Sequence, residues 1–192
     1  LGLDLIEIAQ AAGIRIVDER CARVLDAPDS AARQHEVARL LAVVDDLDAV
    51  LATRPESRLS TAEAQAATGA GPDGDAGRLV AGQRRILTSW NAAPGTILDD
   101  YSGRIWHGLV GGYYRERLAA WARSIDSGDG AERLGVEFDR LCASFIADGG
   151  PERERPLSEL SPTLRTRQHQ YAAAFNLSGA GRPDERKLNH GK

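Results

Sequence analysis

The residues best suited to chemistry in this chain are carboxylates, and the densest set is Asp45, Asp46 and Asp48, spaced DDxD. Carboxylates placed so on a helix can hold magnesium for diphosphate chemistry, because hard cations take oxygen ligands. The matching second acidic cluster is missing, so the three aspartates are expected to form a solvated polar face. Among the other acidic residues, Asp99 and Asp100 beside Tyr101 are the most informative. They open an aromatic-rich stretch, where negative charge favours the positive end of a helix dipole by roughly 0.3–1 kcal/mol. The functional alternative is contact with a polar ligand or a neighbouring domain.

Other chemistries are excluded by spacing. His35 and Glu36 lack the second histidine of a zinc peptidase helix. The run GAGPDG at 69–74 has neither the preceding strand nor the Lys-Ser/Thr ending of a phosphate loop. His107 and His169 have no evident cysteine or serine partner for nucleophilic catalysis. Cys21 and Cys142 are far apart, with no CxxC and no His/Cys cluster, so two buried free thiols are expected rather than a zinc site. A net charge of −4 argues against nucleic acid, which needs a basic stripe to displace counterions. No apolar run reaches the roughly 18–20 residues that span a bilayer. The expectation is no metal, no cofactor, no nucleic acid and no membrane. Methionine is absent even at position 1, which suggests a piece of a longer polypeptide, any targeting segment lying upstream.

The elements that must position these residues read as helices. Leu3 to Leu25 carries a periodic set including Ala9, Ala12, Gly13, Ile16, Val17 and Val24. Pro28 and Asp29 end it, and Asp29 or Ser30 caps a second helix over Ala31–Thr53. Arg54-Pro55 closes that helix, since the residue before proline is pushed out of the helical region. A short helix is expected over Ser60–Ala67, a turn-rich loop over 68–75, and renewed helix from Leu79 to Trp90. After Ala93-Pro94-Gly95, one helix is expected over Thr96–Ser124, then another over Ala131–Ala147. Beyond Gly149 the chain is charged, with a short helix over 162–175 and a frayed tail after Leu177. No run shows sustained β alternation, so the fold class is all-α, a bundle of five or six helices. The division is 1–148 for the helical domain and 149–192 for a charged linker and tail.

All three tryptophans and three of the four tyrosines fall between Trp90 and Trp121. Trp106, Leu109, Val110, Tyr113, Tyr114, Arg117, Leu118 and Trp121 follow helical spacing and form one face. Trp106 and Tyr113 are read as core, with Trp106→Ala costing about 3–5 kcal/mol. Gly108, Gly111 and Gly112 make sense if another helix approaches closely there. The functional alternative has Trp106 exposed as a platform on which a ligand stacks.

The string ILTSWN followed by ILDDYSGRIWHGLVGGYYRERLAAW resembles the C-terminal helical domain of the α-N-acetylglucosaminidases, glycoside hydrolase family 89. Family members read LTLWG, then I-x-DYA-x-K-x-W-x-GL, then YY-x-x-RW. Leu87, Thr88 and Trp90 match the first motif. Ile97, Asp100, Tyr101, Ser102, Arg104, Trp106, Gly108 and Leu109 match the second, and Tyr113, Tyr114 and Arg117 the third. The similarity spans about residues 3 to 147. Departures are Ser89 for an apolar residue, Asn91 for the glycine after tryptophan, and Leu118 for the second tryptophan, with Trp121 close by to fill the volume.

The resemblance implies a supporting domain packed on a (β/α)8 barrel that lies outside this chain and supplies two catalytic glutamates. The implied chemistry is retaining hydrolysis of terminal α-linked N-acetylglucosamine, the carboxyls roughly 5–5.5 Å apart. This chain alone is then inactive, with no catalytic residue of its own, and it meets the glycoside only through that barrel. Trp90, Asp100, Tyr101 and Trp106 are the substrate-cleft or domain-interface candidates. The family departures motivate a second reading, a free-standing helical interaction module without catalytic activity.

Overall fold

The computed structural model describes residues 3–72, 74–90, 100, 102–128, 130–150 and 156–159. Among them are six α-helices: α1 Leu3–Leu25, α2 Ser30–Leu51, α3 Leu59–Thr68, α4 Ala76–Ser89, α5 Arg115–Ser127 and α6 Ala131–Asp148. No strand occurs among the described residues, only one isolated parallel bridge between Arg58 and His107. The all-α reading holds. The expected helix over 162–175 lies outside the described residues, as does the stretch 91–99.

Helix limits follow local chemistry. Asp29 accepts a hydrogen bond from the Ala32 amide at 2.7 Å, and Asp75 accepts one from the Arg78 amide at 2.9 Å. Each carboxylate satisfies an amide that the first helical turn leaves free. At the other end of α2, the Arg58 guanidinium donates twice to the Ala52 carbonyl, at 2.8 and 2.5 Å. Gly128 and Gly149 stop α5 and α6 at φ of 66° and 77°, where a β-carbon is disfavoured.

α1 and α2 form an antiparallel pair. Ile16 meets Val43, Ala49 and Val50, and Leu47 sits 3.0 Å from where a Gly13 Cβ would stand, so the two backbones approach closely. An Arg20–Glu36 ion pair at 2.9 Å ties their outer edge. The C-terminal half of α2 is the centre of the bundle: Asp46 through Leu51 are all buried. Val44, Leu47 and Leu51 face Val110, while Leu59, Leu87, Leu109, Tyr113, Cys142 and Phe145 make a second cluster. Arg84 joins three helices, donating to Glu63 of α3 at 2.6 Å and to the Ile146 and Ala147 carbonyls at the end of α6. A 3₁₀ turn at Leu157–Glu159 lies against α2.

Two expectations are corrected. The aspartates of DDxD are not a solvated face: Asp46 is 0% and Asp48 2% exposed, and half-buried Asp45 pairs with Arg115 at 2.7 Å. From Asp46 to Leu51 their helix is surrounded, so those two carboxylates do not reach water. The single helix over Thr96–Ser124 is also wrong in its first part. Residues 102–108 are not helical, and the chain enters α5 through a π-helical turn at Leu109–Tyr114. Gly108, with φ at 85°, breaks the backbone just before that turn.

Candidate functional site

The centre of the molecule holds a buried polar junction that explains this late start. Asp48 Oδ1 accepts hydrogen bonds from the amides of Gly108 and Gly111, both at 2.9 Å. Its Oδ2 stands 2.8 Å from His107 Nδ1, which also lies 3.2 Å from the Asp48 carbonyl. One carboxylate from α2 thus caps the turn leading into α5 and fixes the imidazole beside it. The β-bridge completes the hold: the His107 amide donates to Ser57 at 2.7 Å and its carbonyl accepts from Leu59 at 2.9 Å. A carboxylate–imidazole pair is the orienting half of a nucleophilic triad. Here the His107 side chain is 0% exposed, so no substrate reaches it, and the pair is architectural.

From this junction the chain runs back to the end of α4, where two of the candidates meet. The Asp100 amide donates to the Thr88 carbonyl at 2.6 Å, and Ser102 Oγ donates to the Leu87 carbonyl at 2.9 Å. Trp90 closes α4 with its amide bonded to the Arg85 carbonyl. Trp90 and Asp100 both adopt left-handed backbone, with φ of 50° and 58°. For a tryptophan this is costly, on the order of 1–3 kcal/mol, and such strain concentrates where geometry serves a site. Trp90 is 43% exposed.

Asp100 does not cap the aromatic helix. Its carboxylate pairs with Arg117, inside α5, and the Arg117 guanidinium lies 5.3 Å from the Tyr113 ring and 4.6 Å from that of Phe138. Burial opposes the Arg117 charge most strongly, but the Asp100 hydrogen bond together with the charges of Asp100, Tyr113 and Tyr114 outweighs it and holds the guanidinium above its ordinary value. Burial also pushes the phenols of Tyr113 and Tyr114 well up, the latter with help from Asp100. The pair sits on the wall of a cavity of about 600 Å³, whose apolar lining includes Val17, Cys21, Leu47, Val110, Leu118 and Trp121.

The remaining candidates divide. Trp106 is half-buried, stacks near Arg104 at 5.6 Å, and packs on the Leu59–Leu87–Phe145 cluster from the irregular segment before the π-helical turn rather than from a helix. Tyr113 is core, as expected, with 4% exposure. Tyr101 lies outside the described residues. Cys142 is buried but Cys21 only half-buried, and both are free thiols. Among the described residues no three potential metal donors converge, and no helix is long and apolar enough to cross a membrane. Sequence reasoning missed the Asp48 junction. Its signal was present: Asp48 is four residues after Val44 and three before Leu51, on an otherwise apolar stripe.

Comparison with known proteins agrees with this architecture. The family model described as the Alpha-N-acetylglucosaminidase (NAGLU) C-terminal domain matches residues 3–140. Two solved structures of a family 89 glycoside hydrolase from Clostridium perfringens share the fold. The complex with PUGNAc has a TM-score of 0.67 at 23% identity, and that with 2-acetamido-1,2-dideoxynojirmycin 0.68 at 22%. In both cases the match covers 88% of this chain and 21% of the hydrolase chain, so the chain spans about one fifth of the protein it resembles. No curated protein sequence matches. With the family model covering most of its length, the chain belongs to the α-N-acetylglucosaminidase C-terminal domain family.

Proposed function

We propose that this chain is the non-catalytic C-terminal helical domain of an α-N-acetylglucosaminidase-like glycoside hydrolase. The rest of that polypeptide supplies the (β/α)8 barrel, its two glutamates and the removal of terminal α-linked N-acetylglucosamine. The observation that carries the reading is the family match over residues 3–140, on a fold that fills 21% of a family 89 hydrolase chain. The domain comprises residues 1–148, and 149–192 follow as charged linker and tail.

In this reading the end of α4 serves the cleft or the domain interface. Trp90 and Asp100 sit together there, one exposed and one anchored by Arg117. Tyr101 adjoins them in sequence. Trp106 contributes from within, as packing that holds the segment in place. The domain shapes and braces the pocket; the barrel does the chemistry.

The test is hydrolysis of a chromogenic α-linked N-acetylglucosaminide by the 192-residue chain and by the polypeptide that includes the sequence encoded upstream of it. Turnover by the longer polypeptide alone is the expected result. Turnover by the short chain, or an upstream sequence without a barrel, overturns the reading.

A further inference from the structure

The outer face of α4 has a composition that the helical bundle itself does not explain. Arg78, Leu79, Gly82, Arg85 and Ile86 fall at i, i+1, i+4, i+7 and i+8, along one side of the helix. The opposite side carries Leu87 and Arg84, which pack on the neighbouring helices. Leu79 is 37% and Ile86 43% exposed, and the stripe ends at Trp90. At its centre is Gly82, where an added Cβ would meet nothing within 4 Å.

Glycine inside a helix costs stability relative to alanine. Gly13 and Gly111 are explained by Leu47 and by Asp48, which fill the places of their missing side chains. Gly82 has no such neighbour. A bare position flanked by exposed apolar side chains suits a helix against which another backbone lies closely. Gly135 on α6 is also open, but of its surroundings only Val136 is an exposed large hydrophobic residue, so no stripe forms there.

We infer that this face, Leu79–Gly82–Ile86 ending at Trp90, is where the catalytic part of the hydrolase docks. The inference rests on the domain reading above and names the surface it uses. The fold occupies about a fifth of a family 89 chain, which leaves ample polypeptide to cover the stripe. The stripe runs into the end of α4 that carries Trp90 and Asp100, so docking along it brings the partner to that site. Exposed Arg78 and Arg85 border the apolar residues, and the covering surface is therefore apolar with carboxylates at its rim.

The experiment measures association of this chain with the separately expressed catalytic part by calorimetry. Gly82→Gln fills the bare position, and Ile86→Gln removes apolar contact without filling it; Gly135→Gln on α6 is the control. The Gly82 and Gly135 variants are expected to melt at or above the wild-type temperature. Both α4 variants are expected to weaken association by at least about tenfold, and the control to leave it unchanged. Wild-type association by either α4 variant overturns the proposal. So does a chain that sediments as a dimer split by Gly82→Gln, because the occupant is then a second copy. If the wild-type chain does not associate, the docking proposal fails. Activity of the intact polypeptide on the chromogenic glycoside then leaves the domain reading standing, whereas inactivity removes both.

Discussion

A Cβ on Gly111 would stand 2.4 Å from Asp48 Oδ2, so the carboxylate of α2 occupies the space that any side chain at position 111 would need. The two residues are matched across the centre of the bundle, and the match fixes where α5 can begin. Asp48→Ala leaves the Gly108 and Gly111 amides without their buried acceptor and takes the carboxylate from beside the His107 ring, which keeps the Asp48 backbone carbonyl. Each orphaned buried donor costs about 1–3 kcal/mol, so the expected loss is about 3–5 kcal/mol in urea denaturation. A loss under about 1 kcal/mol would show that the junction is dispensable.

Gly111→Ala tests the same match from the other side. The new methyl must displace a hydrogen-bonded carboxylate rather than a flexible chain end. A loss of about 1–3 kcal/mol is expected for such overpacking. The double variant Asp48→Ala/Gly111→Ala is expected to lose less than the sum of the two, because the methyl then enters space already vacated. Simple additivity in the denaturation midpoints would argue against direct contact.

Trp106 and Tyr113 belong to one cluster but differ in burial. Tyr113→Ala is expected to cost about 3–5 kcal/mol, the range for a buried aromatic. Half-buried Trp106, held from irregular chain, is expected to cost less on replacement by alanine, about 2–3 kcal/mol. Chemical denaturation ranks the two, and an inverted order would mean that Trp106 is the true anchor.

Leu118 lines the cavity of about 600 Å³ together with Trp121. The family motif has a tryptophan at the position of Leu118. Leu118→Trp is expected to fill part of this space and raise stability by about 0.5–2 kcal/mol, read as a higher melting temperature. A lower melting temperature would show that Trp121 already claims the volume.

Burial raises the phenol groups of Tyr113 and Tyr114, the uncharged form being the one the fold accommodates. A raised pKa contributes stability that is complete below the ordinary tyrosine value of about 10 and is lost as pH climbs beyond it. Circular dichroism is expected to show alkaline unfolding that starts above that pH. Tyr114→Phe, which has no proton to lose, should shift the onset upward; an unchanged onset would assign alkaline unfolding to other groups.

Much of the helical layout was legible because its signals are local. Asp29, Pro55 and the Gly149 stop act within a turn of where they stand, and the limits of α1, α2 and α6 follow from them. The start of α5 was not legible, because Trp106 keeps helical spacing with Leu109, Val110 and Tyr113. Asp48, some sixty residues earlier, sets the break instead. The same distance hid the burial of Asp46 and Asp48, since adjacent carboxylates on a helix normally point to water. At the candidate site, the residue types of Trp90 and Asp100 drew attention. Their left-handed backbone did not, since nothing in a tryptophan codes for positive φ.

The tie between the Asp100 amide and the Thr88 carbonyl, reinforced by Ser102 on Leu87, bears on how a local disturbance travels through this domain. The polypeptide leaves α4 at Trp90 and is fastened to it again ten residues later. The last turn of α4 is therefore gripped from both directions along the chain, so the start of the second segment inherits its position from the end of the first. The end of α4 works as a clamp, and a change that frays its last turn is passed on to Asp100 and, through Arg117, to α5.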